Sequence, residues 1–190
     1  MLGSADVVHL IGIGGIGVSA VARVLLERGL KVTGSDVRES QLTEALRAKG
    51  AEIVIGHRPE NVHGVDLVVV STAIPEDNLE ILAARAAGIP VVHRSQVLDA
   101  LIKERTTVGV TGTHGKGTVS SMITWILDSA GFDPGFIIGG LLNNYGTNSR
   151  DGADLFVVEV DESDRSHHGV GLDHVVCNFL ALALRCVDRR

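Results

Sequence analysis

Thr111-Gly112-Thr113-His114-Gly115-Lys116-Gly117-Thr118 follows the apolar run 107–110 and precedes residues 119–130, where Met122, Ile123, Ile126 and Leu127 recur at helical spacing. The order strand, glycine-rich turn, helix decides the fold class of this half of the chain. Such a turn lets backbone N–H groups converge on an anion at the positive end of the helix dipole. Gly112, Thr113, His114, Gly115, Lys116, Gly117 and Thr118 are therefore expected to hold the phosphates of a nucleotide. Lys116 would put a catalytic point charge on the β/γ-phosphates, and Thr118 would offer a hydroxyl to Mg2+. Two positions depart from the general phosphate-loop pattern: Val110 stands where a first glycine is usual, and Gly117 stands where Ser or Thr directly follows the lysine. A glycine-rich packing turn with a solvent-facing lysine is the simpler alternative.

Upstream, Gly12-Ile13-Gly14-Gly15-Ile16-Gly17 fits G-x-G-x-x-G between a short apolar strand, 7–12, and a helix, 17–28. Further strands are expected at 31–35, 52–55, 67–71 and 91–92. Helices are expected at 41–49 and 77–87, with another capped by Ser95 and running to Lys103. This alternation implies a largely parallel sheet with helices on both faces. Asp36 ends the second strand, where such folds hydrogen-bond a ribose hydroxyl. The charged segment Lys103-Glu104-Arg105 places a boundary near residue 104, giving units 1–104 and 105–190.

Alone, the first glycine loop fits a nicotinamide-dependent dehydrogenase or a ligand-free packing turn. A dehydrogenase needs no second phosphate loop with a lysine and magnesium ligands, yet one follows downstream. Two phosphate sites in series imply one unit for a nucleotide-linked substrate and another for ATP.

The apolar strand 155–158 delivers Glu159, Asp161, Glu162 and Asp164 at its carboxyl end, within reach of a metal bound to ATP. Glu159 is the expected magnesium ligand; the other acids are left open between ligation and a solvated turn. Ser71-Thr72-Ala73-Ile74-Pro75 and His93-Arg94 each follow a strand, and either touch a ligand or merely end the sheet. Gly139-Gly140 with Asn143, Asn144 and Asn148 is expected to form a polar, flexible loop. His57 is equally a surface residue or a contact, and His167-His168 are expected to face solvent.

Composition bounds these readings. The 190 residues suffice for one core or two small domains, and 45% hydrophobic content indicates a soluble α/β protein. A net charge of −6 provides no basic footprint for nucleic acid. Asp6 precedes the first apolar run, unlike a secretory signal, and no apolar run approaches the about twenty residues of a membrane span. Cys177 and Cys186 make neither a disulfide framework nor a zinc site, which points to a cytoplasmic, reduced setting.

In combination, residues 9–17, Gly34-Ser35-Asp36, Ser71-Thr72-Ala73-Ile74, His93-Arg94, Thr111 to Lys116 and Glu159-Val160-Asp161-Glu162-Ser163-Asp164 resemble the Mur ligases, colinearly over nearly the whole chain. The likeness is greatest to the branch that joins L-alanine to UDP-N-acetylmuramate in peptidoglycan synthesis. It implies a Rossmann-like UDP-sugar domain followed by part of a P-loop α/β ATPase domain. Carried across, Gly14, Gly15, Ile16, Gly17 and Asp36 would face the UDP moiety, with Ser71, Thr72, Ala73, His93 and Arg94 lining the same site. Residues 112–118 would bind ATP, and Glu159 would ligate Mg2+. The implied reaction makes an acyl phosphate from ATP and the lactyl carboxylate, which the amine of L-alanine then attacks.

Three departures accompany the resemblance. Lys116-Gly117-Thr118 replaces the usual Lys-Thr-Thr. Arg165-Ser166-His167-His168 replaces a Ser-Phe continuation. Asn178 is followed by Phe179-Leu180-Ala181-Leu182-Ala183-Leu184 without the family's acid and Asp-His pair. With Arg190 ending the chain before an adenine site or amino-acid domain, the resemblance implies an incomplete, inactive fragment. The competing readings are a ligase attaching a whole peptide to UDP-muramate for recycling, a non-catalytic nucleotide- or UDP-sugar-binding module, and an NAD-dependent oxidoreductase.

Overall fold

β1 (Val7–Ile11) carries four buried residues in five. A strand apolar on both faces must be covered on both, so it belongs at the centre of a parallel sheet. The computed structural model, which describes residues 2, 5–103, 105–160, 174–178 and 185–188, places it there. Two compact units form, Met1–Ala100 and Leu101–Arg190. In the first, β1 lies in a five-stranded sheet with β2 (Lys31–Asp36), β3 (Glu52–Ile55), β4 (Leu67–Val70) and β5 (Val91–His93), in the order β3-β2-β1-β4-β5. Every pairing is parallel, which is the Rossmann-like arrangement.

The connecting helices are α1 (Ile16–Glu27), α2 (Gln41–Ala48), α3 (Leu79–Ala86) and α4 (Arg94–Ile102). Their starts follow local chemistry. Ser40 and Thr43 form a reciprocal capping box on α2. The Asn78 side chain accepts from Glu80 N and caps α3, so that helix starts at Leu79 rather than at residue 77. Ser95 lies inside α4 instead of capping it; Gln96 Oε1 accepts the His93 N–H at 2.9 Å. One face of the sheet buries Ile11, Val62, Val65, Val68, Ile81 and Ala84 together. At Gly34 a Cβ would lie 2.5 Å from Ile13 Cδ1, so β2 and the first glycine turn approach closely only without a side chain there.

The second unit is built on β6 (Thr106–Gly112), α5 (Lys116–Ser129), β7 (Gly135–Leu142), β8 (Thr147–Arg150), β9 (Leu155–Glu159), β10 (His174–Asn178) and β11 (Arg185–Asp188). The sheet order is β11-β10-β6-β9-β7-β8. The four central strands are parallel, while β8 and β11 pair antiparallel at the two edges. Val110, Phe136, Ile138, Leu142 and Val157 form the core under Val119, Ile123 and Leu127 of α5.

The flexible loop expected around Gly139-Gly140 and Asn148 is not formed. Both glycines belong to β7, Asn148 is buried in β8, and only Asn143 and Asn144 lie in the turn between them. Apolar residues at both ends of β7 hold it in the sheet, and a register irregularity between Ile137 and Leu142 absorbs the glycine pair.

Candidate nucleotide-binding sites

The first glycine turn is held from below by β2. Ser35 O accepts the N–H groups of Gly12 and Ile13 at 2.8 and 3.0 Å. Asp36 Oδ2 accepts that of Gly14 at 2.8 Å. Gly12 has φ +73°, a conformation disfavoured for a residue with a side chain. A Cβ on Gly14 would stand 2.9 Å from Asp36 Oδ2, one on Gly12 3.0 Å from Ile74 Cδ1, and one on Gly17 3.2 Å from Arg94 Nη1. The turn, Asp36, Ile74 and Arg94 are thus brought into one place. Gly15 and Ile16 are exposed at the start of α1, which has no side-chain cap, so the positive end of this helix faces solvent beside Arg94.

Ser71, Thr72 and Ala73 form the bend that carries Ile74, with Ser71 O accepting the Ile74 N–H. His93 ends β5, its Nδ1 2.8 Å from Ser95 Oγ. Asp36, the residue expected to meet a ribose, has one oxygen engaged by the Gly14 N–H.

Glu80, which sequence reasoning passed over, organises this unit from beneath. Its side chain is fully buried. Oε2 accepts from Ser35 Oγ at 2.6 Å and lies 3.0 Å from His57 Nδ1. Oε1 accepts from Asn61 Nδ2 and lies 3.8 Å from His9 Nε2. His57 is therefore a contact within the network. Burial pushes the Glu80 carboxyl up, but the contacts from His9, Ser35 and Asn61 outweigh it and hold the carboxyl at about 2. The one signal in the sequence was an acid at the second position of α3 beside apolar neighbours, which reads equally as a helix-dipole residue.

In the second unit Gly115, at φ +74°, closes the phosphate turn, and α5 starts at Lys116. Lys116, Gly117 and Thr118 therefore make the first helical turn. Lys116 Nζ donates to Gly112 O at 2.8 Å, which folds the ammonium over the turn. Thr113, His114 and Gly115 are exposed above it. Asn178 pairs in register with Gly112 at the same sheet end.

Glu159 arrives from β9, and its Oε2 accepts the Gly139 N–H at 2.9 Å. A Cβ on Gly117 would lie 3.1 Å from Glu159 Oε1, so position 117 is the one that faces this carboxylate. Thr118 is exposed and lines a groove of about 320 Å³ with Ser121, Trp125, Asn143 and Tyr145. No group of three or more His, Cys, Asp or Glu side chains suited to a metal occurs among the described residues. Asp161, Glu162, Asp164, His167-His168 and residues 179–184 lie outside them. The described residues thus bring one carboxylate to position 117, which carries no hydroxyl, and do not fit the magnesium site expected of a phosphate loop.

A parallel sheet with a glycine turn at a helix N-terminus, followed by a second strand–turn–lysine helix, is the architecture of nucleotide-binding α/β proteins. Residues 7–106, more than half the chain, match the Mur ligase family, catalytic domain. The chain belongs to the Mur ligase family. It is 52% identical over 157 residues to UDP-N-acetylmuramate–L-alanine ligase of Hyphomonas neptunium, covering 82% of this chain and 33% of the relative. The like-named enzyme of Carboxydothermus hydrogenoformans is 50% identical over 161 residues, covering 84% and 35%. The chain spans about a third of the length of the curated relatives it matches.

Among solved structures, UDP-N-acetylmuramate–alanine ligase of Thermotoga maritima superposes with a TM-score of 0.85 at 31% identity, covering 92% of this chain and 41% of that one. UDP-N-acetylmuramate:L-alanyl-γ-D-glutamyl-meso-diaminopimelate ligase of Neisseria meningitides gives 0.86 at 27% identity, covering 95% and 62%.

Proposed function

We propose that this chain carries the UDP-sugar unit and the phosphate-loop part of an ATP-dependent ligase that joins L-alanine to UDP-N-acetylmuramate in peptidoglycan synthesis. The observation that carries this reading is the pairing, within one chain, of a glycine turn backed by Asp36 and Arg94 with a second turn headed by Lys116. About 50% identity to relatives bearing that activity in their names supports it.

The exposed start of α1, with Arg94 beside Gly17, suits the diphosphate of the UDP-sugar; Gly14 to Gly17 present the turn, and Ser71 to Ala73 and His93 rim it. Gly112 to Thr118 receive ATP. A lactyl carboxylate oxygen attacks the γ-phosphorus as the bond to ADP breaks, giving an acyl phosphate. The alanine amine then adds to the acyl carbon, loses a proton, and the intermediate collapses to amide and inorganic phosphate. Lys116 neutralises charge on the moving phosphoryl group, and the backbone N–H groups at the start of α5 fix it. Enzymes of this family use ATP and typically Mg2+.

The recycling ligase shares both sites and is favoured by one observation, the superposition on the Neisseria enzyme. Among the described residues no helix is long and apolar enough to cross a membrane.

Thermal-shift titration tests the reading. UDP-N-acetylmuramate should raise the melting temperature, since a ligand at a hundredfold its Kd contributes about 2.7 kcal/mol. NADH should not. Stabilisation by NADH alone would restore the oxidoreductase reading.

A further inference from the structure

We infer that the phosphate loop of this chain engages a nucleoside triphosphate without coupling it to a divalent cation, because the position that should present a hydroxyl to Glu159 is Gly117. The inference rests on the proposed ATP site and concerns what that site lacks.

In a strand–turn–lysine helix, the hydroxyl directly after the lysine is the protein's ligand to the nucleotide-bound metal. That residue here is Gly117. Its backbone is aimed correctly, since a Cβ built on it would come 3.1 Å from Glu159 Oε1. A serine or threonine there would thus set an oxygen beside the carboxylate. Thr118 cannot replace it. One residue along a helix turns the side chain through about 100°, and Thr118 is exposed on the groove with Asn143 and Tyr145.

The carboxylate is meanwhile engaged by backbone. Gly139 donates to Glu159 Oε2 at 2.9 Å. A Cβ on Gly139 would fall 2.7 Å from that oxygen, so the contact needs a glycine. A charge-assisted N–H bond therefore occupies one of the two oxygens a cation would use. Mg2+ requires a nearly octahedral set of oxygens and gives up water reluctantly, so the one carboxylate that the described residues bring here, already held by an N–H, is a poor anchor. Among the described residues, what remains for the triphosphate is metal-free: the turn N–H groups, the start of α5 and the Lys116 ammonium, 2.8 Å from Gly112 O.

Calorimetric titration of ATP into the 190-residue chain, in excess MgCl2 and in EDTA, tests this with the wild type, Gly117→Ser and Gly117→Ala. Gly117 has no positive φ, so both variants are compatible with the helix. The wild type should bind ATP with the same Kd, within about twofold, in both buffers. Gly117→Ser should bind roughly tenfold tighter with Mg2+ than with EDTA, and Gly117→Ala, which adds the Cβ alone, should stay insensitive. Gly117→Thr serves as a second hydroxyl variant should serine fail to fold.

Magnesium-dependent binding by the wild type overturns the inference and leaves the ATP site standing. Equal magnesium dependence in the alanine and serine variants overturns it by showing a steric cause. So does a hydroxyl variant that stays insensitive to the metal, or one that binds ATP where the wild type does not. Absence of ATP binding in all variants and both buffers overturns the ATP site itself.

Discussion

Ser35 donates its hydroxyl proton to the fully buried carboxylate of Glu80 at 2.6 Å. The backbone oxygen of the same serine accepts from Gly12 and Ile13, and the next residue, Asp36, holds Gly14. Glu80 therefore positions the glycine turn through β2, with His57 and Asn61 completing its shell. Glu80→Ala should leave these polar groups buried without their acceptor. Loss of about 3–5 kcal/mol in chemical denaturation is expected, with weaker UDP-sugar binding in any folded fraction. A loss below about 1 kcal/mol would show that the network is dispensable.

The same carboxyl sets an acid limit on stability. Its folded pKa, about 2, lies below the ordinary 4.5. A depressed carboxyl contributes fully above the unfolded value, and that contribution is lost as pH falls from about 4.5 through about 2. The loss is about 3 kcal/mol at 1.36 kcal/mol per unit. Urea midpoints measured from neutral to acid pH should fall steeply in this window for the wild type and shallowly for Glu80→Gln. Parallel curves would remove Glu80 as the cause.

Gly34 tests the close approach under the first turn. Gly34→Ala would place its methyl 2.5 Å from Ile13 Cδ1 and 2.9 Å from Leu10 O. Overpacking of this kind costs about 1–3 kcal/mol, and the displaced Ile13 should weaken UDP-sugar binding as well. A neutral alanine variant would mean that β2 and the turn separate freely.

Arg150 ties the far edge of the second sheet to α5. It donates to Asp128 at 2.9 Å and to Pro134 O at 3.0 Å, and its guanidinium lies over Tyr145 and Phe136. Tyr145 in turn donates to Asp128, and its phenol is pushed up to about 12 by burial and by that carboxylate. Arg150→Ala should cost about 1–3 kcal/mol, and Arg150→Lys should recover little, because a point charge cannot replace the planar fork. The chain's one tryptophan, Trp125, lies 6.2 Å from the Tyr145 ring, so its fluorescence reports the loosening directly. Full recovery by lysine would count against the stacked geometry.

Lys116→Ala should abolish ATP binding and leave UDP-sugar binding unchanged, as each site is built inside its own unit. Calorimetry with each ligand separates the two effects. Loss of both would assign Lys116 a structural role.

The sequence by itself determined the strand–turn–helix order, both glycine turns and most strand and helix positions, because alternation, helical spacing and glycine punctuation act over a few residues. It also placed Lys116 and Glu159 at the ends of their elements. Tertiary structure alone decided what those side chains meet. Glu80 and Ser35 are 45 residues apart, and Gly139 and Glu159 are 20 apart. No local period carries such pairings. A helix beginning at Lys116 rather than at residue 119 turns Thr118 toward Asn143 and leaves bare Gly117 facing Glu159. The expected polar loop became β7 and β8 for the same reason: burial of Phe136, Ile138 and Leu142 against α5 outweighs the local loop preference of the glycines and asparagines between and beyond them.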